Sequence, residues 1–193
     1  MKRVYVIAME CEAAAVRPHL RPEDALIVSG VGKVNAAAAA MRAILEFGAG
    51  EIVNIGLAGG LSGDMRAGEI YEVDSAVEHD FDLSLVNGTR RGVKDERTVP
   101  EIPVALTGLY PHRRLATGDS FADEGGDHCG AALRDMEGAA IADVCDKSSV
   151  RFRSFKMVTD VVGMGPMTQQ YRQNREWCLE KLQKECAGIC RSF

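Results

Sequence analysis

Short runs rich in β-branched and aromatic residues recur along the chain, and what separates them constrains the fold. RVYVIA (3–8), ALIVS (25–29), EIVNIG (51–56), residues 69–77 and FRSFKMVTDVV (152–162) each read as a strand, and residues 113–117 lead as another into Gly118. Apolar residues at helical spacing fill several of the gaps. EAAAV (12–16) is a short helix. Residues 34–47 predict a longer one that buries Val34, Ala37, Ala38, Met41, Ile44 and Leu45, with Gly48 and Gly50 stopping it. Residues 167–189 close the chain as a helix, with Trp177, Leu179 and Leu182 available to pack on the sheet. Strands alternating with helices give an α/β domain of three layers. The 193 residues, 46% of them hydrophobic, suffice for one core, and the absence of a linker or repeat favours one domain over 1–193.

Charge narrows the partners. A formal charge of −5 gives no basic surface for nucleic acid or an anionic membrane, so a small-molecule partner fits better. Arg90, Arg91, Lys94 and Arg97 gather, but Asp95 and Glu96 interleave with them, which predicts a solvated loop. The apolar run of MKRVYVIAME is too short for a signal-peptide core or a spanning helix, so a cytoplasmic location is expected. The six cysteines contain no CxxC pair and read as reduced, small hydrophobic residues. Cys186 and Cys190 share a helix face, but no His lies near them to complete a zinc set; no metal and no cofactor are expected.

Carboxylates at element ends carry the functional signal. In RDMEGAAIADVC (134–145), Glu137 stands in the first turn of a helix, where free amides favour an ionised, directionally fixed carboxylate, although acidic first turns are also ordinary. Glu12 follows the first strand, at the end where open α/β sheets place ligands. Gly30-Val31-Gly32-Lys33 fails as a phosphate loop, since Val34 follows the Lys, and as a dinucleotide fingerprint, since Asn35 replaces the third glycine. What remains is a tight turn that lets backbone approach a ligand at Val31. Leu57-Ala58-Gly59-Gly60 reads as a second small-residue loop, and two such loops imply a pocket. Phe121 is either a core residue or a stacking surface for a planar ligand. Asp160, flanked by Val158, Val161 and Val162, is costly to bury unless hydrogen-bonded or functional. His79, in a loop between carboxylates, reads as a structural hydrogen-bonder sooner than as a base.

These pieces resemble the nucleoside phosphorylase and nucleosidase superfamily, most closely its bacterial methylthioadenosine/adenosylhomocysteine nucleosidases. The match rests on AMECE (8–12), SGVGKVNAA (29–37), NIGLAGGL (54–61), HDFD (79–82), TGDSF (117–121), DMEGAAIADVC (135–145) and TDV (159–161), in the family's order over nearly the whole chain. The resemblance implies a nucleoside phosphorylase-like fold with a central mixed, largely parallel sheet flanked by helices. It implies hydrolysis of the N-glycosidic bond of a purine nucleoside or a 5′-modified adenosine, with phosphorolysis or binding without turnover as alternatives. Glu12 matches the base that activates water, and Met136 with Glu137 the ribose-binding pair. Asp160 matches the acid at purine N7, with Thr159 beside it where relatives usually carry Ser. Phe121 matches the ring that stacks on the base, Ala122 a backbone contact to it, and Gly59 a backbone contact near the sugar, with Ala58 adjacent. A homodimer is implied, the loop after HDFD lying at the interface. Two positions depart: Leu57 replaces Ser, and Lys156 replaces Arg four residues before the acid. The chain also lacks a hairpin between His19 and Ala25.

Overall fold

The computed structural model describes residues 2–94, 96–121 and 126–193. Strand β1 (Arg3–Ile7) leads into α1 (Glu10–Val16) and a 3-10 turn, then β2 (Ala25–Val28) and α2 (Lys33–Phe47). Strands β3 (Glu51–Gly60) and β4 (Ile70–Glu78) follow. After the short α3 (Ser84–Asn87) come β5 (Ile102–Pro103), β6 (His112–Thr117) and β7 (Leu133–Asp135). Helix α4 (Gly138–Lys147), strand β8 (Arg151–Val161) and helix α5 (Met167–Arg191) complete the chain.

Strand β1 is buried throughout, and its alternation divides the core in two. Val4 and Val6 join a cluster with the alanines of α2 and with Ala139, Ala140 and Ile141 of α4. Tyr5 and Ile7 join another with Ala13 and Val16 of α1 and Cys178, Leu182, Cys186 and Ile189 of α5. Helices therefore cover both faces, as expected of layers.

The sheet itself is not a flat middle layer. Strand β3 pairs parallel with β8 and antiparallel with β7; β7 runs parallel to β6, and β6 to β4. Strand β4 then returns antiparallel to β8, so β3, β7, β6, β4 and β8 close a five-stranded barrel with β1 and β2 extending from β3. The sequence-based expectation of a simple three-layer sheet is corrected on this point. Closure depends on pairings such as Ile70 with Met157, 87 positions apart, which no local pattern encodes.

Four local expectations change as well. Leu57 to Gly60 is not a loop, because β3 continues to Gly60 and pairs there on both edges. Helix α2 turns its alanines inward: Ala36, Ala39, Ala40 and Ala43 are buried, whereas Val34 is 81% and Leu45 76% exposed. Its close approach to the small-residue face of α4 selects residue size over hydrophobicity. Trp177 is half exposed and lies over Gly68, where a Cβ would come 2.6 Å from its ring. The basic cluster is not simply solvated either: Lys94 pairs with Glu78 at 2.6 Å and Asp143 at 2.8 Å, and Arg97 with Asp143 at 2.8 Å. No helix among the described residues is long and apolar enough to cross a membrane.

Candidate active site

Strand β1 pairs with β3 only from Arg3 to Tyr5, and β7 takes up β3 again at Gly59 and Gly60. Between them the ladder opens into a fork. Asn54 bridges it by donating from Nδ2 to Val6 O at 2.9 Å, and the Leu57 N–H, freed from a strand partner, donates to Glu12 Oε1 at 2.8 Å. Glu12 arrives from the first turn of α1, and its Oε2 also accepts the Met9 N–H at 3.1 Å. The carboxylate lies so close to β3 that a Cβ on Gly56 would stand 2.7 Å from Oε1. Burial raises the Glu12 pKa above the usual carboxylate range, although the Leu57 N–H, Lys156 and the Met9 N–H pull the other way.

Behind Glu12 sits a buried ion cluster. Lys156 of β8 is almost wholly enclosed, and its Nζ reaches Asp135 Oδ2 at 2.8 Å. Burial disfavours its ammonium, but Asp135, Glu137 and Glu12 outweigh that and hold the pKa above the ordinary lysine value. Asp135 is fully engaged. Thr117 Oγ1 donates to Oδ1 at 2.6 Å and the Gly138 N–H to Oδ2 at 2.9 Å, so Asp135, and not Glu137, receives the opening amide of α4. Glu137 occupies the residue before the helix and turns its Oε1 to the Gly32 N–H at 2.9 Å. Burial first, then the negative Asp135, pushes its pKa up to about 7, which corrects the expectation of a carboxylate kept ionised by its helix.

Asp160, on β8, is the remaining carboxyl group of the site. Burial pushes its pKa up to about 6 against the opposing hydrogen bond from Thr159 Oγ1, 2.6 Å from Oδ1, and the charge of Arg134. Gly59 is paired across the sheet with both Arg134 and Asp160, and a Cβ there would lie 3.0 Å from Asp160 Oδ2 and from Met167 Cε. The absent side chain leaves the floor open between them. Phe121 is half exposed and meets Tyr171 edge-on, with ring centroids 5.2 Å apart.

One cavity of about 200 Å³ is lined by Glu12, Val31, Ala58, Gly59, Phe121, Met136, Glu137, Thr159 and Asp160. All the expected site residues thus converge except Ala122, which lies outside the described residues. Met9, Leu57, Ser120, Arg134, Asp135, Met167 and Tyr171 also line it. Of these, Asp135 and Arg134 belong to the stretch that first drew attention to Glu137, but two charges in a three-residue strand give no pattern to read. His79 is not in the wall. It is buried, T-stacked on His128 at 4.8 Å, and its pKa is lowered by burial, Arg134 and His128.

The sequence matches the Phosphorylase superfamily model over residues 21–125. The 5′-methylthioadenosine/S-adenosylhomocysteine nucleosidase of Marinomonas sp. is 31% identical over 159 residues, covering 72% of this chain and 68% of the relative. Among solved structures, the nucleosidase of the same name from Helicobacter pylori superposes with a TM-score of 0.87 at 18% identity, covering 100% of this chain and 99% of the other. The one from Colwellia psychrerythraea, solved in complex with adenine, gives 0.87 at 22% identity, covering 100% and 95%.

Proposed function

The chain belongs to the phosphorylase superfamily and, within it, to the 5′-methylthioadenosine/S-adenosylhomocysteine nucleosidases; from this and the geometry of the cavity we propose that it hydrolyses the N-glycosidic bond of a purine nucleoside or a 5′-modified adenosine. The observation that carries this reading is the gathering of three carboxyl groups of raised pKa, Glu12, Glu137 and Asp160, in the wall of one cavity. Glu12 takes a proton from water as its oxygen attacks C1′. Asp160 gives a proton to purine N7 as the C1′–N9 bond breaks, so the base leaves neutral. Glu137 and Met136 hold the ribose, and the negative wall stabilises the oxocarbenium-like sugar. Phe121 stacks on the base, while the backbone near Val31, Ala58 and Gly59 approaches the ligand.

Neither departure from the family pattern removes this machinery. Leu57 loses a side-chain hydroxyl but supplies its backbone N–H to Glu12. Lys156 keeps a cation beside Asp135. Phosphorolysis needs an anion site, and the turn at Gly30–Lys33 is already committed: the Gly32 N–H goes to Glu137, the Lys33 N–H to Asp119 at 2.9 Å and Lys33 Nζ to Asp80 at 2.6 Å. Carboxylates there would repel phosphate.

A homodimer whose partner helps close the cavity forms part of the proposal. It is supported by the exposed apolar stripe Val34, Met41 and Leu45 on α2, and by Leu85 and Val86 of α3, which follow the HDFD segment. Chromatography of 5′-methylthioadenosine and of unmodified nucleosides incubated without phosphate tests the activity. Free base in equal yield with and without phosphate is expected, and strict phosphate dependence would overturn hydrolysis. Glu12→Gln should lower kcat by at least about 10² while leaving nucleoside affinity nearly unchanged. Normal residual turnover with lost binding would remove the assigned role.

A further inference from the structure

Every N–H and C=O of a buried strand needs a partner, and on the strand that carries Asp160 one edge changes partner just before the acid. Strand β8 pairs with β3 as far as Val161, but on its other edge the pairing with β4 extends no further than Met157. The last main-chain bonds there run from the Val158 N–H to Glu69 O at 2.9 Å and from the Gly68 N–H to Val158 O at 2.7 Å. Beyond them α5 takes over with side chains. Asn174 Nδ2 donates to Thr159 O at 2.8 Å. Gln170 Oε1 accepts the Val161 N–H at 3.0 Å, and its Nε2 donates to Val161 O and to Gly165 O, both at 2.9 Å. Asp160 therefore stands between two residues whose main chain is held from the helix.

The spacing of these groups is helical. Met167, Gln170, Asn174 and Cys178 recur at intervals of three and four, so one face of α5 meets this stretch of β8. Met167 lines the cavity, and Cys178 turns its Sγ to Val158 O at 3.6 Å. The Trp177 Nε1–H donates to Asn174 Oδ1 at 3.2 Å, which leaves the Asn174 amino group directed at Thr159. Thr159 in turn donates its hydroxyl to Asp160 Oδ1. A carboxamide presents an acceptor and donors in one plane, the pattern that a strand edge asks of its neighbour. Neither Gln170 nor Asn174 belongs to the cavity wall, so both act on the site only through β8.

We propose that Gln170 and Asn174 are positioning residues for proton delivery: their side chains stand in for the strand missing from this edge of β8 and fix the direction in which Asp160 faces the leaving base. This role rests on the reading of Asp160 as the acid of a purine nucleosidase.

Aiming the acid and merely holding the helix to the sheet are separated by leaving group. kcat/KM is measured on the full chain for 5′-methylthioadenosine, whose base departs protonated, and for a nitrophenyl riboside, whose leaving group needs no proton. Gln170→Leu and Asn174→Leu should each lower the first at least about tenfold and the second less than about threefold, since a misplacement of about 1 Å can cost about 10²-fold where geometry matters. Gln170→Glu keeps the length and the acceptor but sets a carboxylate against Val161 O and Gly165 O, and it should lose as much as Gln170→Leu. In an Asp160→Asn background the further change Gln170→Leu should cost less than about twofold, because a residue that acts through the acid has nothing left to aim. Equal losses with both substrates, additive losses in the double variant, or unchanged purine release by both leucine variants would overturn the proposal. Asn174→Leu, which leaves the first turn of α5 intact, carries the same comparison if Gln170→Leu does not fold. A wild-type chain that releases nitrophenol but no purine would overturn the hydrolytic reading of the purine site and this role with it, whereas equal losses in a chain that does release purine would overturn this role alone.

Discussion

Glu12, Asp135 and Glu137 share a single buried ammonium, Lys156, and that imbalance governs how the site answers to pH. All four groups are buried, so three full negative charges against one positive charge are costly, and protons are retained where chemistry can use them. Glu137 holds a proton to about pH 7 and Asp160 to about 6, against ordinary values of 4.5 and 3.8. Both shifts are upward, so the folded chain binds more protons than the unfolded chain between those limits. The contribution of these groups to stability therefore falls as pH rises across the window and is flat above it. The acid role of Asp160 has the same sign: turnover of substrates that need base protonation should decline as pH rises through about 6. Asp160→Asn should cost orders of magnitude with a purine nucleoside and far less with a nitrophenyl riboside, whose leaving group departs without a proton. Equal losses with both, together with a lowered melting temperature, would make Asp160 a structural turn cap instead.

At the scale of the element, the fork between β1 and β7 builds the site, and it was only half visible in the sequence. The strands β1, β3, β4 and β8 were legible because their β-branched runs are largely buried, and β2 and β6 because each runs into a glycine turn. Strand β7 was not, since two of its three residues, Arg134 and Asp135, are charged groups recruited to the cavity. The inward face of α2 was misread for a different reason: periodicity finds the bulkiest stripe, whereas packing against α4 called for alanine. Of the site, the carboxylates, the ring and the glycine turns were legible through their motifs, but the coupling of Lys156 to Asp135 joins positions 21 apart in two strands and has no local signature. Gly56 shows how finely β3 is fitted. An added methyl would meet the flexible end of Glu12, not backbone, so Gly56→Ala should fold with little change in melting temperature while pushing the carboxylate off its two N–H donors. A fall in kcat of about 10² or more is expected from losing an oriented base. An unchanged kcat would mean that the position of Glu12 on β3 does not matter to the reaction.

For the molecule as a whole, the unresolved demand is for cover over apolar surface. Helix α2 presents Val34, Met41 and Leu45 to solvent on one face, at helical intervals of seven and four, and α3 exposes Leu85 completely. Side chains of this kind gain about 1.5–3 kcal/mol each on full burial, so a self-complementary patch that buries several of them twice favours a two-fold dimer. Phe121 stands half exposed at the mouth of the cavity, and the chain lacks the hairpin expected before β2, leaving less of its own wall to exclude water from the reacting sugar. The same partner would serve both needs if its α3 region reached the mouth. Sedimentation velocity at micromolar concentration should therefore give a dimer. Leu45→Glu, which places charge in the stripe without touching the buried alanines, should shift it to monomer. The dissociated variant should keep its fold by circular dichroism yet show a raised KM, because its cavity has lost a wall contributed in trans. A wild-type monomer that turns over nucleoside, or a Leu45→Glu monomer with unchanged KM, would refute the shared cavity.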